Sequence, residues 1–155
     1  MRKSITNEIV GRAVPTDWPQ IVALLKSVEL PIDGLEEHLE TTLVLRTGNE
    51  IIGCAALELY DRFALLHSVA VAKAYQGKSM GQDLTKACLD LARECGVKQI
   101  YLLTEIAGEF FPRFGFRPIG RADVPAAVQE SVEFTSACPA SALVMMLPLE
   151  QEPVS

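Results

Sequence analysis

The loop from Gln76 to Gly81 is the segment whose residue types point most directly to chemistry. It holds two glycines and a lysine but no acidic residue, in a chain with 20 acidic and 14 basic residues. A predicted helix follows it, and the unpaired N–H groups at a helix start can bind phosphate. An ordinary turn with a solvated lysine explains the loop equally well. The Gly-x-x-x-x-Gly-Lys-Ser/Thr pattern of a P-loop is absent.

Three ionisable residues near predicted strand ends are candidates for proton transfer. Glu58 ends one strand, where partial burial would raise its pKa, and we rank it first as a general base; the alternative is a solvated hairpin carboxylate. His67 carries an imidazole suited to acid–base work near neutral pH, or is simply a hydrogen-bonded strand residue. Glu105 follows a later strand, where the alternative is a charge favoured by a helix dipole.

The four cysteines form no C-x-x-C pair and indicate reduced thiols of a cytoplasmic protein rather than a disulfide framework. We expect Cys54 in a strand core, and Cys88 and Cys95 on the inward face of one helix. Cys138 lies in a loop rich in serine and proline, where it could contact a substrate, although a lone cysteine is more often packed in a core.

A metal site is not predicted. His38 with Glu36 and Glu37 is the only short cluster of ligand types we noted. A solvated helix face explains these three residues better than a metal centre does.

The elements that must position these residues alternate between helical and strand periodicity. Short turns at 47–50 and 60–62 predict antiparallel neighbours among the strands on either side. Asp17 or Thr16 is expected to cap the first helix, and Asp123 a later helix carrying Val124, Val128 and Val132. The predicted strands are 9–14, 42–46, 51–59, 63–71, 99–104 and 142–149, and the main helices start near 17, 81, 108 and 123.

Composition and charge limit the classes of protein that remain. The chain has 155 residues, 49% hydrophobic and 22% charged, which suits one domain spanning 1–155. A formal charge of −6 argues against broad nucleic-acid binding. We see no signal peptide and no apolar run near the roughly 18 residues of a membrane span, so we expect no membrane partner and a cytoplasmic location.

Two segments in order resemble the GNAT family of N-acetyltransferases. Ser68-Val69-Ala70-Val71 followed by Tyr75-Gln76-Gly77-Lys78-Ser79-Met80-Gly81 resembles its acetyl-CoA signature, Q/R-x-x-G-x-G/A. Phe110-Phe111-Pro112-Arg113-Phe114-Gly115-Phe116 resembles the later helix and "GF" turn. The resemblance covers nearly the whole chain. It implies a mixed, mostly antiparallel α/β (α+β) sheet flanked by helices and split between its fourth and fifth strands.

The resemblance also implies acetyl-CoA as co-substrate and direct attack of an amine on its thioester. The main chain of Val69 and Val71 would hold the pantetheine arm, as an added strand does. The pyrophosphate would bind the loop N–H groups, which belong to Gln76, Gly77, Lys78, Ser79, Met80 and Gly81.

Three positions depart from the family pattern. Ser79 stands where the signature prefers glycine, which we expect a serine to tolerate only with a negative φ. Phe111 replaces a tyrosine thought to protonate the leaving thiolate, and Leu65 occupies the place of a frequent glutamate base. These departures leave open a catalytically degenerate relative that binds acyl-CoA or a thiol ligand as a sensor.

The closest resemblance is to a subgroup linked to arsenic-resistance operons. Leu30-Pro31, the 34–39 segment and the 133–142 segment carry it. It implies a link to arsenic or toxic-compound resistance. We expect the amine of a small molecule as acceptor, with a protein N-terminus as the open alternative, and a homodimer as the oligomeric state. The segment from Arg121 to Ser141 exceeds the general family pattern, and we expect its Ser136, Cys138 and Ser141 to contact the acceptor.

Overall fold

A seven-stranded sheet organises the computed structural model, which describes residues 8–104, 110–131, 134 and 142–149. Its order is β1-β2-β3-β4-β5-β7-β6, with every neighbouring pair antiparallel except β4 and β5. The strands are β1 (Glu8–Arg12), β2 (Thr42–Thr47), β3 (Glu50–Tyr60), β4 (Phe63–Val71), β5 (Gln99–Thr104), β6 (Arg117–Ile119) and β7 (Leu143–Pro148). The mixed, mostly antiparallel sheet predicted from the sequence is confirmed.

Helices cover both faces of the sheet. They are α1 (Trp18–Ser27), α2 (Met80–Glu94) and α3 (Ala126–Gln129), and the 3₁₀ turns are Pro15–Asp17, Glu36–Thr41, Lys73–Tyr75, Phe111–Phe114 and Arg121–Asp123. Alternation along β4 divides the core: Ala64 and Leu66 pack with α2, whereas Leu65 packs on the other face with Val124 and Val128. That second face is also covered by α1 through Ile21, Leu25 and their neighbours. Burial of these apolar side chains fixes the layers.

The sheet opens between β4 and β5. The two strands pair only where Phe63–Leu65 meets Gln99–Tyr101, although β4 continues to Val71 and β5 to Thr104. Beyond Leu65, the only strand that pairs with β4 among the described residues is β3. The predicted split between the fourth and fifth strands is therefore present, and it leaves one edge of β4 unpaired by β5.

A β-bulge lies in the separated half of β4. Ala56 pairs with His67 and Cys54 with Ala70, so two residues of β4 oppose the single residue 55 of β3. Ser68, the first of the two, has φ 57, in the left-handed region. Such bulges bend a strand and redirect its side chains.

The two capping predictions fare differently. Asp17 occupies the predicted N-cap position of α1, but its carboxylate does not bond to that helix; it pairs with Arg46 at 2.6 Å and accepts the Val14 N–H. Asp123 lies in a 3₁₀ turn rather than at a helix start. The residue before a proline avoids helical geometry, so Pro125 keeps Val124 extended and delays α3 to Ala126.

The structure describes three of the four cysteines, and the predictions for two of these are confirmed. Cys54 and Cys88 are fully buried, as expected, but Cys95 is exposed. The helix ends at Glu94, and Gly96, with φ 80, then turns the chain away, so the helical spacing of the apolar stripe stops before Cys95.

Candidate functional site

The predicted phosphate loop, residues 76–81, lies between β4 and α2 and includes the first two residues of that helix. Gly77 has φ 83, which favours glycine. Ser79, directly before α2, has φ 69 and ψ 11. The expectation that Ser79 keeps a negative φ is therefore wrong. The chain enters the first turn of α2 through a left-handed residue, and a serine there costs about 1 kcal/mol relative to glycine.

A cavity of about 370 Å³ lies against this loop. It is enclosed by the end of β4, the start of α2 and the turn that precedes Gly115. Its lining residues are Val71, Tyr75, Gln76, Gly77, Ser79, Met80, Gly81, Gln82, Phe110 and Arg113. Six of the eight residues predicted to bind a cofactor thus share one cavity.

The other two predicted residues lie beside the cavity rather than in its lining. Val69 packs against the apolar core on the α2 face. The Lys78 ammonium lies over the Tyr75 ring, 5.8 Å from its centre. A role for Val69 through its main chain remains a prediction.

Two contacts shape the mouth of the cavity. The Gln76 side-chain amide donates to the Val71 carbonyl at 2.9 Å, which ties the loop to the end of β4. A Cβ added at Gly81 would lie 3.5 Å from the Phe110 ring and 3.9 Å from Val71, which are ordinary contacts. Glycine at position 81 therefore leaves space in the cavity rather than relieving a clash.

Sequence reasoning missed Arg113, which brings a positive charge to the cavity lining. The signal was present, since this arginine lies within the Phe-Pro-Arg-Phe-Gly-Phe segment already singled out. A guanidinium beside a helix start suits an anionic ligand.

A buried polar cluster lies on the opposite face of the sheet from α2, between the apolar groups under α1 and α3. Glu58 is 1% exposed and His67 7% exposed. His67 Nε2 lies 3.0 Å from Glu58 Oε2, and the Tyr60 hydroxyl donates to Glu58 Oε1. His38 Nε2 lies farther off, 3.8 Å from the same carboxylate. Glu58 is thus buried and paired with His67, and the solvated-hairpin alternative is wrong.

The pKa of Glu58 is lowered, whereas we expected burial to raise it. Burial raises the pKa of Glu58, but His67, Tyr60 and Ser131 together outweigh it and lower the pKa to about 2. The argument that ranked Glu58 first as a base is therefore wrong, because a carboxylate with so low a pKa holds protons weakly. Burial and Glu58 raise the pKa of Tyr60 well above its ordinary value, so Tyr60 stays protonated and donates.

Two of the three departures from the family pattern, Leu65 and Phe111, are apolar side chains in apolar surroundings. Leu65 is fully buried among apolar side chains. Phe111 packs edge-on against Phe110 and Phe116, with ring centres 5.0 Å and 5.8 Å away. Neither side chain can move a proton.

The remaining predicted site residues lie outside the residues that the structure describes. They are Glu105, Ser136, Cys138 and Ser141. Within the described ranges, no three His, Cys, Asp or Glu side chains are grouped so as to hold a metal ion. No helix in the same ranges is long and apolar enough to cross a membrane.

A family model for the acetyltransferase (GNAT) family matches residues 8–116. The chain belongs to this family. The match includes the open half of β4, the phosphate loop and α2, and it ends at the "GF" turn. The subgroup resemblance is finer than this match, and it stays a prediction.

Curated relatives are 24–30% identical to this chain over the segments that align. An "Uncharacterized N-acetyltransferase" of Chlorobaculum tepidum is 28% identical over 98 residues, 63% of each protein. An amino-acid acetyltransferase of Pasteurella multocida is 30% identical over 129 residues, which are 77% of this chain and 29% of that protein. The chain therefore spans less than two thirds of the length of these relatives.

Solved structures agree on the fold. N-acetylglutamate synthase from Neisseria gonorrhoeae, complexed with coenzyme A and N-acetyl-glutamate, superposes with a TM-score of 0.80 at 22% identity, over 93% of this chain and 35% of that one. Rv2747 from Mycobacterium tuberculosis, in complex with CoA, gives 0.77 at 25% identity, over 92% and 99%. The GNAT fold predicted from the sequence is confirmed.

Proposed function

We propose that this protein is an acetyl-CoA-dependent N-acetyltransferase that transfers acetyl to the amine of a small molecule by direct attack on the thioester. The observation that carries the proposal is the continuity between the unpaired edge of β4 and the cavity at the phosphate loop. An extended ligand with an anionic end fits this arrangement: its amide groups can pair with a strand edge while its phosphates meet helix N–H groups. Family membership and the CoA-bound relatives support the same ligand.

Acetyl-CoA would lie along β4 and turn into the cavity. The main chain of Val69 and Val71 would pair with the pantetheine arm, and residues 76–81 would hold the pyrophosphate. In the present structure the Val71 carbonyl accepts from Gln76, so its N–H is the group left for the ligand. Arg113 would add a positive charge at the phosphate end.

Proton transfer would depend on the buried cluster. His67 is the better base, since its Nε2 lies 3.0 Å from the ionised Glu58, which orients the ring. Glu105 remains a candidate to orient water or amine. With phenylalanine at position 111, the leaving thiolate would take its proton from another donor.

An amino acid or similar small amine is the acceptor class we propose, since several relatives are named amino-acid acetyltransferases. Ser136, Cys138 and Ser141 would present polar atoms to it, with the 30–39 segment on the opposite wall. Cys138→Ala should then change acceptor KM far more than acetyl-CoA affinity; an unchanged KM would remove the 135–141 segment from the pocket.

We further propose a link to arsenic or toxic-compound resistance, based on the subgroup resemblance of the 34–39 and 133–142 segments. The test is protection of cells by the expressed gene against arsenic compounds and other toxic amines. We also propose a cytoplasmic location, from the cysteine usage, and a homodimer, to be measured by sedimentation.

Thiol release from acetyl-CoA with a panel of amino acids and other amines tests the activity. The protein should release thiol with at least one amine, and acetyl-CoA should raise its melting temperature because it binds only the folded state. Gly81→Val should abolish that shift by filling the cavity. The absence of any shift at millimolar acetyl-CoA would contradict the proposal.

A sensor that binds acyl-CoA without turnover is the second candidate. Phe111 and Leu65 favour it, because neither can do the proton chemistry expected at its position. A melting shift with acetyl-CoA but no thiol release with any amine would support the sensor over the enzyme.

A further inference from the structure

The Ser68 hydroxyl contacts the buried pair of Glu58 and His67 and lies closer to the surface than either of them. Ser68 Oγ lies 2.9 Å from His67 Nδ1, while the other ring nitrogen lies 3.0 Å from Glu58 Oε2. Glu58 and His67 are almost completely buried, but Ser68 is only half-buried. The three side chains therefore form a line from the interior to the β4 bulge.

The backbone of Ser68 adopts a conformation that is rare for a residue other than glycine. Its φ of 57 lies in the left-handed region, within the bulge between β3 and β4. The Cys54 thiol donates to the Ser68 carbonyl at 3.2 Å, which fixes this peptide from the inner side. Strained residues of this kind occur where a site needs a side chain in one direction. The bulge lies beyond Leu65, on the part of β4 that β5 leaves unpaired.

Resting on the proposed acetyl transfer, we propose that Ser68 is the proton carrier between the substrate amine and His67. The amine nitrogen forms a bond to the thioester carbonyl carbon and gives a proton to Ser68 Oγ. The Ser68 hydroxyl proton passes to His67 Nδ1, and Glu58 stabilises the charged ring. The carbon–sulfur bond then breaks, and the proton returns by the same route to the thiolate, so that the products are the amide and free CoA thiol.

The hydrogen-bond inventory of the three groups fits this direction. A carboxylate only accepts, and Glu58 Oε2 lies 3.0 Å from His67 Nε2, so the neutral tautomer that suits this neighbour carries its hydrogen on Nε2. Nδ1 is then the acceptor and Ser68 the donor, which leaves the Ser68 oxygen able to accept from an amine.

A second route to the surface passes through His38, which is 26% exposed and 3.8 Å from Glu58. A proton on that route would have to rest on Glu58, whose pKa is lowered. The ionisable groups around the cluster are Tyr60 on β3, His38 on the 36–41 turn and Glu130 after α3. Ser68 is the route that leaves Glu58 ionised throughout.

The test compares Ser68→Ala with Ser68→Gly. Both variants remove the hydroxyl, but glycine relieves the left-handed backbone whereas alanine keeps the strain. We expect kcat to fall by about 10²-fold in both variants, the range of a lost acid–base group. Acetyl-CoA affinity should stay close to that of the wild type, and the acidic limb of the pH–rate profile should change in both. Glu29→Gly, at an exposed residue with φ 62, is the matched control for relief of strain and should leave kcat unchanged.

Each alternative result has its own meaning. Near-wild-type kcat in both variants would overturn the proton-carrier role. An active glycine variant beside an inactive alanine variant would also overturn it, because activity would then follow the backbone. An acetyl group found on Ser68 by mass spectrometry, without amine present, would replace it with a covalent intermediate. A wild-type protein that turns over no amine would instead overturn the proposed function itself.

Discussion

Ser79 is a side-chain-bearing residue in a conformation that suits glycine. Its φ of 69 places it in the left-handed region just before α2, although its relatives' signature prefers glycine there. Gly77, two residues earlier, is also left-handed, but as a glycine it carries no such strain. Ser79 also lines the cavity in which a phosphate would bind.

Ser79→Gly should therefore stabilise the protein. We expect the free energy of unfolding to rise by about 0.5–1 kcal/mol from relief of the left-handed serine, partly offset by the greater freedom of glycine when unfolded. Acetyl-CoA binding should be equal or tighter. Gly77→Ala, at φ 83, is the matched opposite and should destabilise. Urea denaturation measures both changes; a less stable Ser79→Gly variant would contradict the argument.

Glu58 should make stability depend on acidic pH. Its pKa falls from the ordinary 4.5 to about 2 on folding, so the unfolded state binds the proton more tightly. The resulting stabilisation is fully present above about pH 5 and is lost as pH falls through 2.

Glu58→Gln removes this titration and should lower the free energy of unfolding at pH 7 by about 2 kcal/mol, the scale of a hydrogen bond to a charged group. The difference between wild type and variant should shrink between pH 5 and pH 2. Denaturation across that pH range measures it. A difference that stays constant with pH would show that the Glu58 pKa is not lowered on folding.

At the scale of single residues, the sequence alone predicted only part of the buried polar cluster. It singled out Glu58 and His67 but not their pairing, a diagonal contact across β3 and β4 on the hairpin side of the bulge. Ser68 lies in the bulge itself, and its part in the cluster was not visible in the sequence. Its hydroxyl reaches His67 only because the bulge turns the backbone to a positive φ.

At the scale of elements, α2 packs on β3 at one glycine. A Cβ at Gly53 would lie 2.8 Å from Leu84 Cδ1 and 3.2 Å from the Ala70 carbonyl oxygen. Leu84 is fully buried, so it has little room to move. This close approach seats α2, whose first turn borders the cavity, against the sheet.

Gly53→Ala should lower the free energy of unfolding by about 1–3 kcal/mol, as overpacking does. Gly11→Ala is the control, since Gly11 lies in a strand of the same sheet with no atom within 4 Å of an added Cβ. The control should be neutral or slightly stabilising. Thermal denaturation of the pair distinguishes packing from strand propensity; equal effects would contradict the close approach of α2.

Strands and the longer helices were predictable because burial follows their periodicity. The stripe of Leu84, Cys88 and Leu91 located α2, and the short turns located the β2–β3–β4 meander. The ends of these elements could not be predicted in the same way. A helix start after Pro125 and an exposed Cys95 both depend on where the chain turns, which periodicity does not encode.

At the scale of the whole molecule, the fold joins two sites on opposite faces of one sheet. The cavity lies at the N-terminal end of α2, and the Glu58–His67 pair lies on the face away from that helix. The split after Leu65 would let a ligand bound at the cavity, as proposed, extend toward the second face. The sequence could indicate this topology only through the order of its family-like segments.

The cysteines report on opening of the whole molecule. Burial raises the pKa of Cys54 and of Cys88 to about 12, so both thiols resist alkylation while the protein is folded. Cys95 is exposed at the far end of α2 from the cavity. A thiol reagent should therefore modify Cys95 in the native state and reach Cys54 and Cys88 only after unfolding.

Acetyl-CoA should slow modification of Cys54 and Cys88 together. At 100 times its Kd, a ligand that binds only the folded state adds about 2.7 kcal/mol and lowers the open population about 100-fold. Modification of Cys95 should keep its rate, which makes it the internal control. Mass spectrometry of the labelled peptides resolves each cysteine. If acetyl-CoA left the rate at Cys88 unchanged while slowing Cys54, α2 would open independently of the sheet. That result would contradict opening of the molecule as one unit, which we expect because Cys88 packs in one apolar cluster with Leu57 of β3 and Leu66 of β4.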